Sequence, residues 1–161
     1  MDTTARCLVL ACGNTLRSDD GVGPKLAEWA AERFRADSSV RILTRQQWTP
    51  DLAADIAGAD SVLFVDASLN SVPGRVSLGP VPLHCNGSEP TTHHPASHHV
   101  DPTELLTLTH SLYGFMSAHA MLLTIGSGST ELGESFSGPV EAALPRAQGV
   151  LEKTVLRFLD N

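Results

Sequence analysis

Cys7-Leu8-Val9-Leu10-Ala11-Cys12-Gly13-Asn14-Thr15-Leu16-Arg17-Ser18-Asp19-Asp20-Gly21-Val22-Gly23 is the stretch on which the reading of this chain turns. Its first six residues are an unbroken apolar run closed by Gly13-Asn14. A run that short and uniformly apolar reads as a strand buried on both faces, as in the interior of a parallel sheet. Beyond Gly21 the period changes. Val22, Leu26, Ala30 and Phe34 recur every four residues, with Lys25, Glu28, Glu32 and Arg33 between them. That is an amphipathic helix, and Pro24 is tolerated in its first turn, where a missing N–H costs nothing. The stretch is therefore strand, glycine-bounded acidic loop, helix.

The same alternation continues outward. Residues 40–43 form a second short strand, broken by Arg41. Thr49 caps a helix with Pro50 as its first residue, running to Ala57 and stopped by Gly58. Residues 62–65 are another buried strand, ending in Asp66-Ala67-Ser68, and residues 76–78 a further one. Residues 80–95, with Pro80, Pro82, Pro90 and Pro95, read as a long loop, a length usually tied to function or disorder. Asp101-Pro102 opens a helix whose apolar face is carried by Leu105, Leu106, Leu108 and Leu112. Residues 120–125 are a strand ended by Gly126-Ser127-Gly128. Ser137-Gly138-Pro139 starts a last helix with Val140, Leu144, Ala147, Leu151, Val155 and Phe158 on one stripe. Strands alternating with helices predict an α/β fold: one domain over residues 1–161, with a twisted, mostly parallel sheet sandwiched between helices.

Composition narrows the function. The chain has 161 residues, enough for one core, and is 42% apolar and 18% charged, a globular balance. Its formal net charge is −7, which repels phosphate backbones and anionic lipids and disfavours nucleic acid or a membrane surface as partner. A basic protein tail is a better electrostatic match. Cys7, Cys12 and Cys85 show no CxxC spacing, so neither a structural zinc site nor a thioredoxin-like motif is expected. Cys7 and Cys12 are expected reduced in or near the core. No stretch approaches the ~20 apolar residues of a membrane span, and the N-terminal apolar run is too short for a signal peptide. A cytoplasmic protein is expected.

In folds of this kind, sites gather where the strands end. The first strand delivers residues 13–21, the third delivers Asp66, and the loop before Asp101 delivers His98 and His99. Each has a plain alternative. Ser18, Asp19 or Asp20 can cap the helix at Val22, and Asp66 can make an Asx-turn. The pairs His93-His94 and His98-His99 can be a solvated loop, and His84, His110 and His119 surface or satisfied core positions. Two adjacent aspartates nevertheless exceed what a cap needs. Carboxylate and imidazole from separate elements suit a divalent transition ion, nickel and zinc alike, able to polarise a peptide carbonyl or activate water. The loop matches neither GxGxxG nor the P-loop pattern, and two carboxylates repel a phosphate. Gly126-Ser127-Gly128-Ser129 lacks the GxSxG spacing of a serine nucleophile.

Residues 8–23 resemble the opening signature of the hydrogenase maturation proteases: an apolar strand, then Gly-Asn-x-Leu-x-x-Asp-acidic-Gly-x-Gly. The resemblance continues through Phe64-Val65-Asp66-Ala67, His98-His99 before a leucine-rich helix, and Leu123-Thr124-Ile125-Gly126, nearly the full length. It implies an endopeptidase that cleaves the C-terminal extension from the nickel-loaded large-subunit precursor of a NiFe hydrogenase. The metal is nickel supplied by the substrate, contacted through Asp20, Asp66 and His98. Gly13, Asn14, Asp19, Gly21 and His99 are the implied substrate contacts, with Asn14 able to adopt a left-handed turn conformation and Gly21 and Gly23 admitting the substrate backbone. Substitution of Asp20 is expected to abolish processing, and that of Asp19 to be milder. The chain departs from many members in having Asp20 where they have glutamate, in the doubled histidine, and in Arg45-Gln46-Gln47-Trp48-Thr49-Pro50 where they have Asp-Gly-Gly. A nickel chaperone without enzymatic activity and a small-molecule metallo-hydrolase use the same ligand set and are the alternatives.

Overall fold

The computed structural model of the chain describes residues 5–82, 100–114 and 117–161. Its centre is strand β1 (Ala5–Cys12), where only Arg6 reaches solvent. The remaining strands are β2 (Val40–Arg45), β3 (Ala59–Ser68), β4 (Val76–Pro80) and β5 (His119–Gly126). They form one sheet in the order β2-β1-β3-β5-β4. β1 pairs in parallel with β2 and β3, and β3 in parallel with β5. β4 closes the edge antiparallel to β5. The mostly parallel α/β sheet expected from the alternation is the sheet observed.

Alternation along β1 feeds two cores. Cys7, Val9 and Ala11 pack with helices α1 (Val22–Arg33) and α4 (Gly138–Asp160). Leu8, Leu10 and Cys12 pack with α2 (Leu52–Ala57) and α3 (Pro102–Tyr113). Phe64 is fully buried in the second core and meets the Trp48 ring edge-on at 5.5 Å. Cys7 and Cys12 are buried free thiols, as expected. Among the described residues, no helix is long and apolar enough to cross a membrane.

Local differences from expectation have identifiable causes. α2 starts at Leu52, not Pro50, because the Leu52 and Ala53 N–H groups donate to the Thr49 and Pro50 carbonyls, making a tighter turn first. β3 extends to Ser68 and so takes Asp66 into the strand. α3 carries a reciprocal cap, the Glu104 N–H donating to Asp101 and the Asp101 N–H to Glu104, both at 2.8 Å. Its Leu112, expected on the apolar face, is 63% exposed. Thr109 takes the buried place instead, its hydroxyl donating to the Leu105 carbonyl. Residues 83–99, which hold Cys85, His93, His94, His98 and His99, lie outside the described residues.

Gly23, near the start of α1, was expected to admit substrate. It is buried, and a Cβ there would fall 2.3 Å from the Cys12 carbonyl oxygen and 3.1 Å from that of Val65. The glycine lets α1 seat on the ends of β1 and β3. Alanine normally favours a helix over glycine by about 1 kcal/mol. Here Gly23→Ala is expected to destabilise the fold by about 1–3 kcal/mol, because the overlap is with backbone that cannot move aside. Urea unfolding with a lowered midpoint and an unchanged slope is the expected readout, and a raised midpoint refutes it.

Candidate active site

From β1 the chain crosses to β2 on one side, whereas β3 lies on the other, so β1 and β3 flank the point where the winding reverses. Crevices for ligands form there, at the carboxyl ends of the strands. The loop after β1 folds back on itself. A Cβ at Gly13 would lie 1.9 Å from the Asp20 carbonyl oxygen, so only glycine allows the closure. Asn14 does not take the left-handed conformation expected of it; Ser18 does, with φ 49°. Asn14 instead closes the loop, its N–H donating to Asp20 Oδ2 at 2.8 Å and its Oδ1 accepting from the Leu16 N–H at 2.9 Å. Residues Ser18–Gly21 form a 3-10 turn.

Asp19 and Asp20 then part company. Asp19 is fully buried. Its Oδ2 accepts from the Gly128 and Ser129 N–H groups at 2.7 and 2.9 Å and from the Ser137 hydroxyl at 2.7 Å. Its Oδ1 accepts from the Ser137 N–H at 2.7 Å. Burial alone raises the pKa of this carboxyl, but Ser137, Gly128 and Ser129 outweigh it and hold it below the usual range. This corrects the expectation of a substrate contact: every bond Asp19 makes is internal. Neither aspartate caps α1, whose N-cap is Gly21 with no side-chain bond.

Asp20 is half-buried, and Asp66 reaches the same sheet edge from β3. Period two puts Asp66 on the face of Val62 and Phe64, beside Trp48 and Cys12. Its pKa is raised to about 7, first by burial and further by the Asp20 charge, while the Ala67 N–H at 2.8 Å and the Trp48 indole oppose the shift. Cys12 is pushed up to about 12 by burial and then by Asp66 and Asp20. The thiol therefore stays protonated and is no nucleophile. Among the described residues, the ion pairs are Lys25–Glu28, Arg33–Glu152, Arg35–Glu32 and Arg41–Asp55, so neither Asp20 nor Asp66 has a basic partner. No group of three His, Cys, Asp or Glu side chains suited to a metal occurs among the described residues.

Gly13 and Gly21 are buried against their own chain, Gly21 with a Cβ position 3.0 Å from Thr15 Cα, and neither offers backbone to a substrate. His98 and His99 lie outside the described residues. Trp48 and Cys12, the neighbours of Asp66, escaped the sequence reading as site residues, although Cys12 ends β1 and Trp48 lies in the loop after β2. The sequence reads Ser137 only as the start of the last helix, and its bond to Asp19 carries no sequence signal.

The chain matches no protein-family model and no curated protein sequence. Solved structures do match. HycI, a NiFe hydrogenase maturation protease from Thermococcus kodakarensis KOD1, superposes with a TM-score of 0.70 at 22% identity, over 98% of this chain and 94% of that one. HybD from Thermococcus kodakarensis gives 0.67 at 26% identity, over 92% and 98%. The hydrogenase maturating endopeptidase HybD from E. coli gives 0.69 at 21%, over 94% and 93%. The fold is that of the NiFe hydrogenase maturation proteases. The resemblance read from residues 8–23 thus extends to the whole architecture.

Within this maturation protease fold, Asp66 is held at a cost. With its folded pKa above the unfolded value, its contribution to stability is fully present at pH below about 3.8 and lost as pH rises through about 7. Asp66→Asn keeps the shape and cannot ionise. The variant is expected to match the wild type near pH 4 and to exceed it in stability by about 2–4 kcal/mol above pH 8. Thermal unfolding across that range checks this; equal melting temperatures at alkaline pH count against the assigned environment.

Proposed function

We propose that this chain is an endopeptidase that removes the C-terminal extension of a NiFe hydrogenase large-subunit precursor, and that it recognises the precursor's nickel through Asp20, Asp66 and His98. The observation that carries the reading is the pair Asp20–Asp66 at the winding reversal of a maturation protease fold, without a basic partner for either among the described residues. Two adjacent acidic groups favour a cation between them. An ion already ligated by its client needs only a few further donors from the protease. Hydrolysis adds water across the scissile bond: the water oxygen joins the carbonyl carbon, the C–N bond breaks, and the proton released ends on the leaving amine. Asp66, with a pKa near neutrality, suits the transfer of that proton.

The client is a protein. Leu16, Leu69, Val72 and Leu132 are 56%, 73%, 66% and 82% exposed, all on the loops after β1, β3 and β5. Exposed aliphatic side chains on the loops at the carboxyl edge of the sheet suit the docking of a protein. The chemistry also fits a cytoplasmic enzyme working on a newly made subunit.

Incubation with a nickel-loaded precursor is expected to remove a C-terminal peptide, read as a mass loss. A precursor that binds but keeps its mass supports a chaperone instead. Asp20→Asn is expected to fold normally and to lower processing by roughly a hundredfold or more. Leu132→Asp is expected to raise KM about tenfold with kcat unchanged; an unchanged KM removes the docking role of that rim.

A further inference from the structure

We infer that Asp19 is a positioning residue: its buried carboxylate ties the loop after β5 and the start of α4 to the loop after β1, and so sets where Asp20 presents its own carboxylate. The inference deepens the assignment of Asp20 to the client metal and rests on it for its kinetic arm only.

Among the described residues the Asp20 carboxylate accepts a single hydrogen bond, from the Asn14 N–H. Its position is therefore inherited from the backbone of the 3-10 turn. The chain entering that turn is stitched to the opposite loop at Leu16, Ser18 and Asp19. The Ser18 N–H donates to the Gly133 carbonyl at 2.7 Å, the Asp19 N–H to that of Ser129 at 3.1 Å, and the Gly133 N–H to that of Leu16 at 2.9 Å. The Ser18 hydroxyl donates to the Glu131 carbonyl. The Asp19 carboxylate is the hub of this seam and reaches three residues of the far side. The third loop joins there too: a Cβ on Gly128 would stand 3.4 Å from both Asp19 Oδ2 and Pro73 Cβ. Ser137 is the N-cap of α4, yet its hydroxyl caps nothing and is given to Asp19. A helix cap diverted in this way serves the seam rather than the helix.

The test uses the full chain. Asp19→Asn presents an amide N–H₂ to a cage of donors, and Ser137→Ala removes one donor while leaving the Ser137 N–H bond. Thr154→Val is the control. It deletes a comparable hydroxyl bond, Thr154 to the Val150 carbonyl at 2.8 Å, roughly 25 Å further along α4 at 1.5 Å per residue. The Asn14 amide resonance reports on Asp20, since its N–H bonds to that carboxylate. Asp19→Asn is expected to lower kcat at least tenfold, and Ser137→Ala several-fold, both with KM unchanged and the Asn14 amide moved upfield. Thr154→Val is expected to lower the melting temperature with kcat and the Asn14 amide as in wild type. Should Asp19→Asn not fold, Ser137→Ala decides. A folded Ser137→Ala with wild-type kcat and an unmoved Asn14 amide overturns the inference, as does an equal kcat loss in Thr154→Val. Undiminished processing by Asp20→Asn sinks the assignment of Asp20 to the client metal instead, and the amide shift still judges the positioning.

Discussion

A carboxylate with no exposure to water organises this protein. Burying the Asp19 charge costs several kcal/mol, and four hydrogen bonds to it, each on the order of 1.5–3 kcal/mol, offset that cost. Two donors come from the segment after β5 and two from Ser137 at the head of α4, where the helix dipole also favours negative charge. Backbone bonds already join the loops after β1 and β5, and this hub ties the head of α4 to them. With it they form one wall beside the winding reversal, and Asp20 stands on that wall.

The two buried-edge aspartates act on stability in opposite directions. Asp19 has a depressed pKa, so its contribution is present above the ordinary carboxylate range and is lost as pH falls through its folded value. Asp66 has a raised one, so its cost appears as pH climbs toward about 7. The first is the mark of a satisfied structural group. The second is the mark of a group kept in an unfavourable place, drawn out of water beside another acid, where a cation would relieve it. Fold and function thus use the same side chain under opposite rules, and whether the donors outweigh burial decides which rule holds.

That distinction limits what the sequence can disclose. Periodicity places β1, α1 and α4 closely, because each buries an unbroken stripe, and the position of Asp66 after an apolar run points to the sheet edge. The register of hydrogen-bond partners is another matter. Asp19 and Asp20 are identical letters side by side, and the donors that separate them lie more than a hundred residues away. Ser137 reads as the start of the last helix, which describes its backbone and says nothing of its side-chain bond to Asp19. Leu112 keeps the spacing of the α3 stripe, yet it is exposed and Thr109 fills the core position. Local pattern reads elements well; it does not see which distant loop will come to meet them.

The doubled aspartate follows from the geometry of the turn that holds it. In a 3-10 turn successive side chains point about 120° apart, so two neighbours cannot both face the interior or both face the crevice. Directing Asp19 inward to the Gly128–Ser137 cage leaves Asp20 turned away from it, toward the Asn14 N–H and the sheet edge. The next position in the turn, Gly21, packs tightly against Thr15, with a Cβ position 3.0 Å from Thr15 Cα. An anchoring carboxylate must therefore come immediately before the presented one, with glycine immediately after. The Asp-Asp-Gly order in this loop is the shortest sequence that locks a wall and offers a carboxylate from it.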